Sequence, residues 1–262
     1  MIPGRRHIWI QISQSLALSG LHSLAPLVAP KLKIITRDTE MAPKKSKSKL
    51  DVEEVADLST GWRKSKMSEA AMQELETMRL LQSQAVIQWC AAEGEDYPLK
   101  GTFKTVMFRD FVECGLAVPV SKFFHALLHF CGIQLHHLTP QSILHLSIFT
   151  HFCEAFLGIL PHFYLFQHFF ILVPIPNASK PAVVGGCELV LRPETRDEYL
   201  SYKPAGKGVE WKIFWFHVGN FESPLPERTP SVPQVQTCWS STGPGGSQVT
   251  CLLDTIATLK KK

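Results

Sequence analysis

The chain has 262 residues, 45% hydrophobic and 10% aromatic, enough for one substantial domain with tails or for two small ones. Its formal charge of +4 hides a division: residues 67–232 hold 12 Lys/Arg against 16 Asp/Glu, so the positive excess lies in the tails. That distribution argues against a core built to neutralise duplex phosphates, and 7 cysteines without a Cys-x-x-Cys pair leave no zinc ribbon or thioredoxin-like motif.

Residues 1–40 contain Arg5, Arg6, Lys31, Lys33, Arg37 and several serines but no acid before Asp38, the composition of a transit peptide. The favoured reading is an upstream extension, because Met41 opens MAPKKSKSK, which can serve as a start of its own. Lys44, Lys45, Lys47 and Lys49 form a basic tract. It reads as a nuclear-localisation signal or a weak, non-specific nucleic-acid contact, against the blander reading of a solvated linker. Residues 1–61 are thus expected to be a disordered basic extension, with the protein in the nucleus or cytoplasm and an organelle as the alternative.

Ser68 followed by Glu69 supplies an N-cap and a first-turn acid, predicting a helix over 69–79 and a second over 83–92. KTVMF (104–108) reads as a short strand leading into a helical turn that Gly115 ends. Pro119 and Ser121 open a helix closed by Gly132, and Thr139-Pro140 begins a long one reaching Gly158. Pro161 opens another, predicted to end before Pro174. VVGGCELVLR (183–192) and VEWKIFWFHV (209–218) read as two strands, antiparallel across a polar segment. Past Phe221, Pro224, Pro226, Pro230, Pro233 and a Gly/Ser-rich run predict disorder.

Between Lys122 and Lys180 the one formal charge is Glu154. Within that stretch HFCEAFLGILPHFYLFQHFFILVPI (151–175) has the length of a membrane span, but Pro161, His162, Gln167 and His168 interrupt it. The break leaves an apolar piece of about 14 residues, the length of a buried core helix, and no membrane contact is expected. His125 and His129 share a helix face opposite Phe123, Phe124, Leu127, Leu128 and Cys131, with no carboxylate at ligand spacing, so no metal is expected. Ser147, Thr150, His151 and Glu154 make a polar stripe on the long helix. A hydrolase reading fails there for want of a Gly-x-Ser-x-Gly elbow, and the stripe is expected to bond a neighbouring element. Trp211, Phe214, Trp215 and Phe216 offer base-stacking rings with Lys212 as the interleaved cation, yet such strands more often fill a core. Cys131 and Cys153 read as small core hydrophobes.

FRDFVECGLAVPVSKFFHALLHFCGIQLHHLTPQSI, CEAFLGILPHFYLFQHFF, GGCELVLR and WKIFWFHVGN, followed by SPLPE, resemble in order and spacing the gypsy-type transposase domain of plant retrotransposon-derived proteins. HLTPQSI and CEAFLGI…PH are the most specific blocks, GWRKSKMSEAAMQEL resembles the usual entry, and the resemblance spans residues 60–230. It implies an origin in a mobile element and carries over no catalytic residue and no cofactor. Asp96, Asp110 and Asp197 are the aspartates of residues 67–232, scattered among 13 glutamates. The expectation is therefore an α+β, mostly helical domain at 62–230 with a small antiparallel β element near 183–218 and disordered tails at 1–61 and 231–262. Its expected role is non-catalytic protein interaction or assembly; the alternatives are a DNA-transposition enzyme and a nucleic-acid-binding protein of a mobile element.

Overall fold

Local signals set most helix ends in the computed structural model, which describes residues 61–98, 103–175, 182–200, 210–220, 225–226, 231–243 and 246–261. All of these belong to one unit, Asp57–Lys262. The Ser68 hydroxyl accepts the Ala71 N–H to cap α1 (Glu69–Thr77). Helix α2 (Gln84–Ile87) is shorter than the predicted 83–92, because Gln88 turns into the left-handed region and Cys90 exchanges both backbone hydrogen bonds with His217. Strand β1 (Lys104–Phe108) passes directly into α3 (Arg109–Glu113), and Gly115 follows at φ +96. Ser121 and left-handed Gly132 bracket α4 (Lys122–Cys131). Thr139 caps α5 (Pro140–His151), which widens into a π turn over Phe152–Leu157 before Gly158 closes it.

The apolar run after Pro161 divides. Residues Phe163–Phe169 form α6, but Phe170–Pro174 form strand β2, where a single helix was expected. A uniformly apolar FILVP fits a core helix and a buried strand equally, and the free edge of β3 (Cys187–Leu191) decides for the strand. The two predicted strands do not pair with each other: β2 pairs antiparallel with β3, and β1 with β4 (Trp215–Gly219), making two two-stranded sheets. β4 is drawn to β1 by an aromatic pairing of Trp215 opposite Phe108, with Trp62 packed on both rings. Fully buried Trp215 also receives the Ser65 hydroxyl on its carbonyl (2.6 Å) and donates its indole N–H to the Arg63 carbonyl (2.7 Å).

Residues 231–261 are not the disordered tail expected from their prolines and glycines, at least where the structure describes them. Trp239 is buried, and helix α7 (Ser247–Leu259) packs against the π turn and α6. Its inward residues Val249, Leu252, Leu253 and Ile256 follow the helical spacing i, i+3, i+4, i+7, a period masked by the Gly/Ser-rich run before it.

An aromatic cluster includes Phe149 of α5, whose ring meets Phe123 at 5.8 Å, Phe166 at 5.2 Å and Phe170 at 6.2 Å. Polar groups also enter the core. His137 accepts the Gln134 N–H on Nδ1 and donates from Nε2 to the Ser231 carbonyl (3.2 Å), and His145 accepts from the Gln141 amide (3.3 Å). Burial lowers both imidazoles to about 4, the Ser231 contact opposing the effect at His137.

Two outcomes follow. Phe149→Ala should cost about 3–5 kcal/mol in urea unfolding, whereas Leu160→Ala, at a position 81% exposed, should stay within about 0.5 kcal/mol. The unfolded chain protonates His137 and His145 from near pH 6.5, while the folded chain resists until about pH 4. Stability should therefore be fully present above that window and fall with acidification through it, by up to roughly 3 kcal/mol per histidine. A urea midpoint unchanged between pH 7 and 5 would contradict this assignment.

Candidate functional site

The polar stripe does not converge. Ser147, Thr150, His151 and Glu154 are all partly buried on α5 and the π turn, and Ser147 lies about 10 Å from Glu154 along the axis at 1.5 Å per residue. A nucleophile and its orienting acid would need contact near 3 Å. Ser147 instead packs against Gly115, where an added Cβ would stand 3.0 Å from its hydroxyl oxygen. Burial raises the Glu154 carboxyl above the usual range, with the His151 charge opposing as the smaller effect.

The remaining chemistry-bearing residues are spread over separate elements. His125 and His129 lie on the same face of α4, His129 exposed and His125 partly buried, its pKa lowered by desolvation. Among the described residues no group of three or more His, Cys, Asp or Glu is placed to hold a metal ion. Cys131 and Cys153 are buried as read, and burial pushes their thiols up to about 12 and about 11, leaving them protonated. Asp110 sits in the first turn of α3 and Asp197 follows the 3-10 turn Pro193–Thr195, while the Glu95 carboxylate beside Asp96 reaches His217 at 3.2 Å. Lys44, Lys45, Lys47 and Lys49 lie outside the described residues.

The aromatic group around Lys212 is a core element. Trp211 and Lys212 stand on a 3-10 turn (Trp211–Ile213) ahead of β4, and Trp211 packs edge-on against Phe108 at 4.7 Å. Trp215 and Phe216 are fully buried, and the Lys212 ammonium donates to the Val184 carbonyl (2.6 Å). Burial lowers the Lys212 pKa, with the Arg63 charge adding to the effect.

One short stretch of the chain presents large apolar side chains outward. Leu160 is 81% exposed, Phe156 60% and Tyr164 45%, all within nine residues running from the π turn into α6. Phe163 links Tyr164 (6.2 Å) to Phe130 (4.8 Å), itself 39% exposed on α4. Scattered exposed hydrophobics are ordinary, but several within nine residues of chain offer apolar area that a partner can bury. In this segment the low charge was legible in the sequence; which side chains face outward was not, because the π turn rotates the face by an amount the 3.6-residue period does not predict. No helix among the described residues is long and apolar enough to cross a membrane.

Reading by residue type also missed Ser142, Gln167 and Arg192, all buried. Ser142 accepts the Leu189 N–H (2.9 Å) and so fixes β3 to α5. The Arg192 guanidinium donates to the carbonyls of Gln167 (3.0 Å), Ser240 (2.9 Å) and Ser241 (2.9 Å). An arginine closing an apolar strand is the signal that could have found the last of these, since a buried guanidinium must be paired.

No curated protein and no solved structure matches the chain. A family model described as "Putative gypsy type transposon" matches residues 106–174, from within β1 to the end of β2. The chain is thus similar to a transposon-related domain over the helices that build the apolar edge, a narrower span than the 60–230 of the sequence resemblance.

Proposed function

We propose that this transposon-related domain is a non-catalytic interaction or assembly module. The observation that carries the reading is the outward row Phe156, Leu160 and Tyr164, continued by Phe130, in a stretch with a single formal charge. Burying a leucine or phenylalanine side chain on a partner contributes about 1.5–3 kcal/mol, so two or three such anchors support a specific contact. Two histidines of the same stretch serve internal contacts: His162 accepts the Leu165 N–H on Nδ1 (3.2 Å) and His168 pairs with Glu198 at 2.8 Å.

Cross-linking of the tagged full chain in an extract of its own cells should give discrete higher-mass adducts. The Phe156→Ser/Leu160→Ser double variant should lose them while its melting temperature stays within about 3 °C. Unchanged adducts in the variant would remove the basis of this reading. Magnesium- or manganese-dependent nicking of duplex DNA by the full chain would replace it with a transposition enzyme.

The lysine tract supports a secondary contact with nucleic acid. Lys44, Lys45, Lys47 and Lys49 can make about four phosphate contacts, which gives a log–log salt slope of about −3 to −4 and weak, sequence-independent binding at physiological salt. Deleting residues 1–61 should abolish DNA binding in a fluorescence titration; retained, sequence-specific affinity would place recognition in the domain.

A further inference from the structure

Strand β4 and its neighbours carry another group of chemistry-bearing side chains, none of them in the outward row. Cys90 and His217 exchange both backbone hydrogen bonds (2.9 and 3.0 Å), the pairing that sets two residues directly opposite and sends their side chains to one face of a sheet. Their Cβ atoms then lie about 5 Å apart. Val106 faces His217 from the other side, so Lys104, two residues earlier on β1, lies on that same face. Opposite Lys104 stands Gly219, which puts no side chain in the way, and the lysine reaches across β4 to donate to the Cys90 sulfur (3.3 Å). That sulfur is also 3.9 Å from the Gln88 carbonyl. The His217 Nε2 is 3.2 Å from a Glu95 carboxylate oxygen. A carboxylate only accepts, so the proton sits on Nε2 and the neutral ring keeps Nδ1 as its acceptor.

We infer that Cys90 is a nucleophilic thiol site that takes small α,β-unsaturated carbonyl compounds, with Lys104 and His217 as its supporting groups. Cys90 is partly exposed, whereas Cys131, Cys153 and Cys187 are 4% exposed or less. The Lys104 ammonium stands where negative charge gathers as the sulfur attacks, and Nδ1 of His217 is the acceptor for the thiol proton. The sulfur's electron pair forms the S–C bond at the β-carbon, the alkene π pair moves onto the carbonyl oxygen, and the thiol proton ends on the α-carbon. Nothing is oxidised and nothing leaves. The charge finishes on an oxygen a few atoms beyond the reacting carbon, within the field of the same ammonium, which favours this class of electrophile. The addition is stoichiometric, so it leaves the non-catalytic reading intact, and it uses none of the residues on which that reading rests.

Acrylamide, a small member of the class, tests this on the full chain. Timed samples digested and mapped by mass spectrometry give the addition rate at each cysteine, and exposed Cys251 on α7 serves as the internal reference. Cys90 should react about tenfold faster than Cys251, the effect of one charge-assisted hydrogen bond made in the transition state. Lys104→Met should bring that ratio close to unity, and Lys104→Arg, which keeps a donor at the sulfur, should hold it. Glu95→Ala, which removes the group that fixes the His217 tautomer, should lower it as well. In a variant that unfolds, buried Cys153 becomes labelled too, and the ratios of the unaltered chain and of Lys104→Arg then decide. A ratio near unity in the unaltered chain overturns the inference, as does one that the folded Lys104→Met or Glu95→Ala chain leaves unchanged.

Discussion

The backbone of Phe170–Pro174 is the constraint on which the rest of this domain depends. The strand sits among aromatic side chains, so its amides and carbonyls must find protein partners, and β3 supplies them from Leu191 back to Cys187. β3 in turn is held by two buried polar side chains. Ser142 ties it to α5 through Leu189, and Arg192 at its end reaches the Gln167, Ser240 and Ser241 carbonyls. Removing either would strand groups that water cannot reach, which costs more than the hydrogen bond itself contributes. The position of α5, the aromatic cluster around Phe149 and the seating of Trp239 all follow from satisfying that one short strand.

Much of this was legible locally and little of it globally. The hydroxyl caps at Ser68, Ser121 and Thr139 and the closing glycines at 132 and 158 act within a few residues, and the helix ends they predict are where the structure puts them. Pairing is a different matter. Nothing within FILVP says strand, and nothing within CELVL says that its neighbour lies before it in the chain rather than after it. The hairpin expected between 183–192 and 209–218 fails because Trp215 finds a better aromatic partner in Phe108, more than a hundred residues earlier. In the tail the prolines and glycines predict disorder, but a single buried tryptophan and a helical apolar period order its described residues.

The candidate site repeats the lesson at finer scale. Residue types that advertise chemistry, the histidines and the Ser147–Glu154 stripe, serve as packing and hydrogen-bonding elements. The side chains that face outward are plain hydrophobics, and the arginine and glutamine that hold the Ser240–Ser241 segment are buried. Leu160 carries no signal of its own; its exposure comes from the π turn and the loop that follows. Arg192 is visible in the sequence as a charge after an apolar strand, but two of the three carbonyls it serves belong to a segment nearly fifty residues further on.

The pairing of β2 with a later strand also governs how the chain meets the ribosome. Synthesis delivers the nearly uncharged run from Lys122 onward first, and the complement of β2 does not exist until residue 191 has cleared the exit tunnel. Trp239, which packs into the same core, comes later still. At synthesis rates of about 5–20 residues per second, the strand edge and its aromatic neighbours spend seconds without their partners, long compared with hydrophobic collapse. Until those partners emerge, the exposed apolar surface and unpaired strand edge make the nascent chain prone to aggregation, a hazard that the finished fold no longer carries at this strand.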